Sequence, residues 1–343
     1  MSITIYDISK MAGVSTATVS RVFNGSQNVR PATRKKVLDI IEKYGYTPNA
    51  FARGMGLRSA RTVGILCADS SDLFLAKAVY YLEQKLQKNG YEALLCCTGY
   101  NLDIKKNYLS LMLSKGVDSI ILVGSNFIGP TELENQYINE AATQVPIMLL
   151  NASYDCENVY SILCDDFQTM YEATKSMYQS GISDIIYLYS SNSYSGTKKR
   201  EGFQAAMAAS GLSCPENNTF YYDGNLEELD RITDFVEDIA ASGVSFHGVL
   251  ASEDSLAIGS IKYAKRHQLR VPEDLSVIGY NNSILTSCCT PELTSIDNRL
   301  ETMTHQLVNT LIQVLSGEEM PKKSIFSGHL IQRGTTMLQY LDK

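Results

Sequence analysis

Arg21 is the side chain in this sequence best equipped to read another molecule, because a guanidinium can make two parallel hydrogen bonds to a guanine edge. At helical spacing Thr16, Ala17, Ser20, Arg21 and Asn24 gather on one side, while Val19, Val22 and Phe23 gather on the other. Thr and Ala can touch a thymine methyl, and Ser or Asn can bond a phosphate or a base. A second set follows from the rule that open α/β sheets bind ligands beyond the carboxyl ends of their strands. That rule selects Asp69 to Phe74, Ser125 to Phe127, Asn151, Tyr194, Asp254, and Asn281 to Asn282. Carboxylates, amides and hydroxyls of this kind hydrogen-bond polyols, and Phe or Tyr offers a sugar ring a flat apolar partner. Bond-making chemistry finds no such support. No G-x-S-x-G, Walker A, H-E-x-x-H or C-x-x-C occurs, and His247, His267, His305 and His329 lie in unrelated segments. The pairs Asp165-Asp166 and Glu253-Asp254 read as strand neighbours pointing to opposite faces, a poor arrangement for an acid and a base.

The first set needs a small helical scaffold. Thr4 with Asp7 forms a capping pair for a helix whose apolar face is Ile5, Ile8 and Ala12; Gly13 breaks it, and Ser15 caps the next. A third helix opens at Pro31, repeats Val37, Ile40, Ile41 and Tyr44 at core-facing spacing, and stops at Gly45. Three such helices make a head of about 46 residues with little apolar area to bury, so it should be only marginally stable alone. Charge distinguishes its polar face from an ordinary solvated one. Residues 1–61 hold ten Lys and Arg against three carboxylates, a net of +7 in a chain whose total is −7, which leaves the other 282 residues at −14. A basic head on an acidic body is the electrostatic footprint of a DNA reader with a regulatory part.

The second set needs an α/β body. From Thr62 short apolar strands alternate with amphipathic helices: 62–67, 92–97, 119–123, 146–150, 159–164, 184–189, 219–222, 248–250 and 275–280, with further strands near 325–337. That alternation implies parallel sheets covered on both faces, and the number of strands suits two of them. A single Rossmann sheet is the alternative, but no G-x-G-x-x-G follows a strand. At 343 residues and 44% apolar the chain can bury several real cores. No apolar run approaches the ~20 residues of a membrane span, and MSITIYDISK has neither the basic start nor the apolar segment of an export signal. A cytoplasmic location is therefore expected. Its eight cysteines, several in strand-like stretches, read as reduced thiols rather than disulfides or a zinc site, and no cofactor is called for.

The residues TIYDISKMAGVSTATVSRVFNG, followed by VRPATRKKVLDIIEKYGYTPNAFARGM, resemble the head of the LacI/GalR family of bacterial transcription regulators. The likeness continues in GVLASEDSLAIGSIKYAKRHQLRVPEDLSVIGYNN at 248–282 and PELTSIDNRLETMTHQLVNTLIQVLSG at 291–317, so it covers essentially the whole chain. It implies a helix-turn-helix domain at 1–46, a hinge helix at 47–60, and a periplasmic-binding-protein-like effector and dimerisation domain at 61–343. By the same likeness one subdomain takes about 61–160 and 292–322, the other about 161–291 and 323–343. The hinge aligns Met55 with the apolar wedge that the family presses into a minor-groove step, with Leu57 as fallback, and Arg53, Arg58 and Arg61 near phosphates. Gly54 and Gly56 each cost roughly 1 kcal/mol in a helix, so this segment should coil only when held.

The residues expected at DNA are Thr4, Ser15, Thr16, Ala17, Thr18, Ser20, Arg21, Asn24, Asn28, Thr33, Tyr46, Asn49, Ala52, Arg53 and Met55. Those expected at the effector are Asp72, Phe74, Ser125, Asn151, Tyr194, Lys199, Asp254 and Asn281. Three departures from the family pattern stand among them: Asp72-Leu73 for Asn-Pro, Lys199 for Arg, and Asn281-Asn282 for an Asp pair. A point-charge Lys cannot clamp a hydroxyl pair or carboxylate as a bidentate Arg does. The resemblance implies a homodimeric repressor on near-palindromic double-stranded operator DNA, controlled by a sugar or sugar derivative. Nucleobases, nucleosides and a phosphorylated corepressor protein remain alternatives, and a solute-binding protein or sugar-modifying enzyme is the rival class.

Overall fold

The computed structural model describes residues 3–23, 26, 28–45, 60–211 and 218–338. The chain divides into two compact units, residues 1–60 and 61–343.

In the first unit, α1 (Ile5–Ala12) begins with a complete capping box: the Thr4 hydroxyl accepts from the Asp7 amide, and the Asp7 carboxylate accepts from the Thr4 amide at 2.9 Å. These bonds hold the Asp7 carboxyl below its ordinary range. Gly13 ends the helix at φ 68°, a left-handed conformation that glycine adopts at no steric cost. Ser15 then receives the Thr18 amide at 3.2 Å and starts α2 (Thr16–Phe23). With α3 (Pro31–Tyr44) the unit closes on Ile8, Ala12, Val19, Val22 and Val37. Tyr44 departs from the expected core set. It is 48% exposed at the last position of α3, and its ring lies 5.3 Å from the Lys43 ammonium. The hinge expectation, with Asn49, Ala52, Arg53 and Met55, lies outside the described residues, as do Asn24 and Tyr46.

The second unit holds two six-stranded sheets. The first, in order β11-β5-β4-β3-β1-β2, comprises β1 (Thr62–Cys67), β2 (Glu92–Cys97), β3 (Ser119–Val123), β4 (Ile147–Leu150), β5 (Val159–Cys164) and β11 (Lys323–Phe326), all parallel. The second, in order β12-β10-β9-β8-β6-β7, comprises β6 (Ile185–Tyr189), β7 (Thr219–Tyr221), β8 (Gly248–Ala251), β9 (Ser276–Tyr280), β10 (Thr294–Asp297) and β12 (His329–Ile331). Only β12 runs antiparallel, against β10. Helices α4 (Leu73–Lys88), α5 (Leu102–Ser114), α6 (Glu132–Ala142) and α11 (Leu300–Leu315) belong with the first sheet; α7 (Asp166–Gln179), α8 (Tyr194–Ala209), α9 (Leu229–Ala241) and α10 (Asp254–Arg266) belong with the second. The central strands of each sheet are buried on both faces, which is why they read as continuous apolar runs.

The chain changes sheet after β5, β10 and β11, and all three of these points differ from the expected boundaries. Residues 161–164 and 323–326 stay in the first sheet, where Lys323 registers with Ser161 and Phe326 with Cys164. Residues 294–297 join the second sheet, where Thr294 registers with Ile278. A four-residue strand inside PELTSIDN is too short to announce itself by periodicity.

Candidate DNA-reading face and effector cleft

On α2 the buried pair Val19 and Val22 fixes which side turns outward. Ala17 and Arg21, four residues apart, are exposed together with Ser15; Thr16, Thr18 and Ser20 are half-buried beside them. Thr4 and Asn28 are exposed, and Thr33 is half-buried in the first turn of α3. One helix side thus carries a guanidinium, a methyl and hydroxyls above a small apolar core, a shape and chemistry suited to a major groove.

In the second unit the strand ends converge as the topology rule requires. After β1, Asp69 accepts from the Ser71 amide at 2.8 Å, and Asp72 caps α4 by accepting from the Leu75 amide at 2.8 Å. Burial pushes the Asp72 carboxyl upward against the pull of the helix amides and of Lys199. Phe74 is half-buried on the core beside it. After β3 the turn Ser125–Phe127 is bolted from behind: the buried Lys105 ammonium donates to the Asn126 carbonyl at 2.5 Å and the Tyr137 hydroxyl to that of Phe127 at 2.7 Å. From its front, the Ser125 hydroxyl reaches Ser193 of the other subdomain at 2.8 Å. Asn151 follows β4 in a left-handed conformation, φ 64°.

The opposing wall is organised around a buried carboxylate. Asp166 accepts from the Ser195 and Tyr280 hydroxyls. Burial raises its pKa, and the charge of Lys199 opposes that rise. Lys199 is 7% exposed; its ammonium donates to the Ser252 carbonyl at 3.1 Å and sits 3.7 Å from the centre of the Tyr280 ring. Asp254 is equally internal, accepting from Ser295 Oγ at 2.6 Å and the Ser283 amide at 2.7 Å. Asn281, at φ 91°, accepts from Asn298 Nδ2 at 3.0 Å, and Tyr194 is half-buried at the start of α8.

Lys199 and Asp254 therefore act first on their own chain: each holds loops that carry other groups. Glu253, read from the sequence as a strand neighbour of Asp254, stands at the N-cap position of α10 without a side-chain bond to the helix and accepts instead from the Ser190 hydroxyl, whereas Asp165 caps α7 by accepting from the Gln168 amide. Both acidic pairs thus stand at strand-to-helix turns and not within strands. Burial raises the pKa of Glu253, while the Ser190 hydroxyl and the Lys199 charge pull it down and the charge of Asp72 pushes it up. The strand-end rule could have found Asp166, Glu253, Ser193 and Asn298, which follow β5, β8, β6 and β10.

Among the described residues seven buried side-chain atoms have no hydrogen-bond partner: Asn139 Oδ1 and the Tyr187 hydroxyl lie within α6 and β6, whereas Asn126 Nδ2, Asn151 Oδ1, Ser252 Oγ, Ser283 Oγ and Asn298 Oδ1 follow β3, β4, β8, β9 and β10 respectively. Buried polar groups are normally satisfied, so this clustering at strand ends of both sheets points to hydroxyl or amide groups arriving from outside the chain. No group of three or more His, Cys, Asp or Glu residues able to hold a metal occurs among the described residues.

The raised carboxylates also set a pH response. Asp72, Asp166, Glu253 and Asp254 all sit above their ordinary values because burial disfavours the charged form. A carboxyl raised on folding binds more protons in the native state, so its contribution is present below the unfolded pKa and is lost as pH rises through the folded one. Urea midpoints of the full chain should therefore fall as pH rises from the ordinary carboxylate range toward neutrality, and a midpoint that rises steadily over that interval would contradict the buried placement.

The comparisons with known proteins fit both halves. Residues 4–49 match the family profile of bacterial regulatory proteins of the lacI family, and residues 174–336 match that of a periplasmic binding protein-like domain. An HTH-type transcriptional regulator of Lachnoclostridium phytofermentans is 50% identical over 332 residues, 97% of this chain and 99% of its own. Catabolite control protein A of Priestia megaterium is 32% identical over 303 residues, 86% of this chain and 87% of its own. Among solved structures, the lac repressor dimer bound to operator and the anti-inducer ONPF aligns with a TM-score of 0.85 at 21% identity, covering 98% of this chain and all of that one. The transcriptional regulator CelR in complex with cellobiose aligns with a TM-score of 0.70 at 24% identity, covering 97% of this chain and all of that one.

Proposed function

The chain belongs to the lacI family of bacterial regulatory proteins, and from that premise we propose a homodimeric repressor whose grip on operator DNA is set by a sugar or sugar derivative held between the two subdomains of residues 61–343. It is a DNA-binding transcriptional regulator and not an enzyme. The observation that carries the operator reading is the exposed Ala17 and Arg21 side of α2 over a core closed by Val19 and Val22. Each α2 enters the major groove of one half-site, Arg21 reads a guanine, and Thr16 and Ala17 set the neighbouring preference. Residues 47–60 act as a hinge, with Met55 as the wedge in the central minor-groove step.

Pairing of two chains is supported by apolar surface on the first subdomain: Leu73, Tyr80, Leu94 and Leu95 are all exposed, and β2 is an edge strand. An effector that binds one subdomain arrangement better than the other changes how two such surfaces meet. A coupling of ~1–3 kcal/mol suffices to shift operator occupancy about 5- to 150-fold. No described helix is long and apolar enough to cross a membrane, in keeping with the proposed cytoplasmic location.

A sugar is favoured over a nucleobase because the unpartnered atoms at the strand ends are amides and hydroxyls scattered over five loops, a layout that suits many separate hydroxyls. A thermal-shift screen of mono- and disaccharides against nucleobases and nucleosides tests this reading. At least one saccharide should raise the unfolding midpoint and alter operator affinity; stabilisation by nucleosides alone would replace the proposed effector class.

A further inference from the structure

The structure places two thiols in contact at the end of the first sheet. Cys67 closes β1 and Cys97 closes β2, and the parallel register sets them directly opposite. Neighbouring strands lie about 4.8 Å apart, inside the roughly 4.4–6.8 Å that a disulfide spans between Cα atoms. The two sulfurs are 3.8 Å apart, so both side chains leave the same face of the sheet. Their surroundings differ: Cys67 is buried and Cys97 is exposed. Cys96, one residue earlier, packs with the apolar cluster on the opposite face and does not compete for Cys67.

We propose that Cys67 and Cys97 are a site of reversible oxidation, joined as a cross-strand disulfide when a peroxide reaches the exposed thiol. The Cys97 thiolate attacks one peroxide oxygen; an S–O bond forms, the O–O bond breaks, and the departing hydroxide takes up a proton as water. The Cys67 sulfur then attacks the Cys97 sulfenic sulfur. The S–S bond forms, the S–O bond breaks, and the Cys67 proton leaves with hydroxide as the second water. Two thiols are oxidised by two electrons and one peroxide is reduced to two waters. Burial pushes the Cys67 thiol up to about 12, with Cys97 adding to the effect, which assigns the first attack to Cys97 and the resolving role to Cys67.

The site is wired to the cleft wall. The Thr98 amide donates to the Cys67 carbonyl at 2.8 Å and the Gly99 amide to that of Ala68 at 2.9 Å, so the bond would draw together the two strand ends that carry the Asp69–Asp72 turn and Tyr100. Any effect on effector response rests on the proposed function above; formation of the bond does not.

The full-length protein is treated with hydrogen peroxide, its remaining thiols are alkylated, and a tryptic digest is read by mass spectrometry before and after dithiothreitol. A dithiothreitol-sensitive link between peptides 62–77 and 89–105 is expected, kept in Cys96→Ser and lost in Cys97→Ser. Both substitutions fall at partly or fully exposed side chains, so the test does not depend on Cys67→Ser folding. A link that survives Cys97→Ser, a bond confined to peptide 89–105, or Cys97 stopping at a sulfenic acid in the unsubstituted chain would overturn the assignment.

Discussion

Replacing Arg21 with alanine should weaken operator binding by about 1–3 kcal/mol and blur preference at one base position of each half-site. Arg21 lies in the last turn of α2, so part of any loss could come from its interaction with the helix C-terminus, worth ~0.3–1 kcal/mol at an exposed site. That smaller term would lower the stability of the head and weaken all sequences alike. Base reading differs in being selective, and Arg21→Lys separates the two effects. Lysine keeps the charge for phosphate and helix end but loses the bidentate fork, so it should hold most of the non-specific affinity while losing the preference. Met55→Ala is expected to do the reverse: binding weakens, yet the outer positions stay sharp, because a wedge acts through deformation of the central step. A selection over randomised operators with all three variants checks these outcomes. Unchanged preference in Arg21→Ala would remove α2 from the groove.

The largest stability effect is expected at Gly202, in the middle of α8. A Cβ built there would lie 2.2 Å from the Phe167 carbonyl oxygen and 3.0 Å from its carbon, and these are backbone atoms of α7 that cannot rotate aside. Alanine improves helix propensity by up to about 1 kcal/mol. Overpacking against a neighbouring backbone costs up to roughly 3 kcal/mol or more, so the clash wins and Gly202→Ala should lower the unfolding midpoint by several degrees. Gly64→Ala is the matched comparison. Its Cβ meets side-chain atoms and no backbone, Met112 Cγ and Sδ at 3.2 Å and Ile120 Cγ1 at 3.5 Å, so a clearly smaller loss is predicted. Equal midpoints for the two variants would show that α7 and α8 do not approach as closely as described. The stakes reach the cleft, since α7 opens with Asp166 and α8 carries Ser195 and Lys199.

These two glycines also illustrate what a sequence can and cannot convey. Continuous apolar runs such as TVGILC and SVIGY announced buried parallel strands, and the capping pair Thr4 and Asp7 with Gly13 announced the first helix, because local chemistry decides those elements. The short strand Thr294–Asp297 and the pairing of Lys323–Phe326 with β5 were hidden. Their membership depends on long-range register, which no local pattern encodes. The site shows the same division. Strand-end loops were legible from topology, so Asp72, Ser125, Asn151 and Asn281 fall where the rule puts them. The orientation of Lys199 was not legible. Whether its ammonium faces the cleft or the Tyr280 ring depends on a packed neighbour more than 80 positions away in sequence. Glu253 and Asp254 turn on a boundary: a helix beginning one residue after Glu253 makes these expected strand neighbours two acceptors, Glu253 for the Ser190 hydroxyl and Asp254 for Ser295 and the Ser283 amide.

The most direct test of the central claim, that a basic head reads operator DNA under control of an acidic ligand-sensing body, compares operator binding by residues 1–343 and residues 61–343 across a salt series. The longer chain should bind with an affinity that falls steeply as salt rises, by roughly 0.9 in log K per log salt for each phosphate engaged, and the shorter chain should not bind. Binding by residues 61–343 alone, or binding by the whole chain that ignores both salt and operator sequence, would contradict the account.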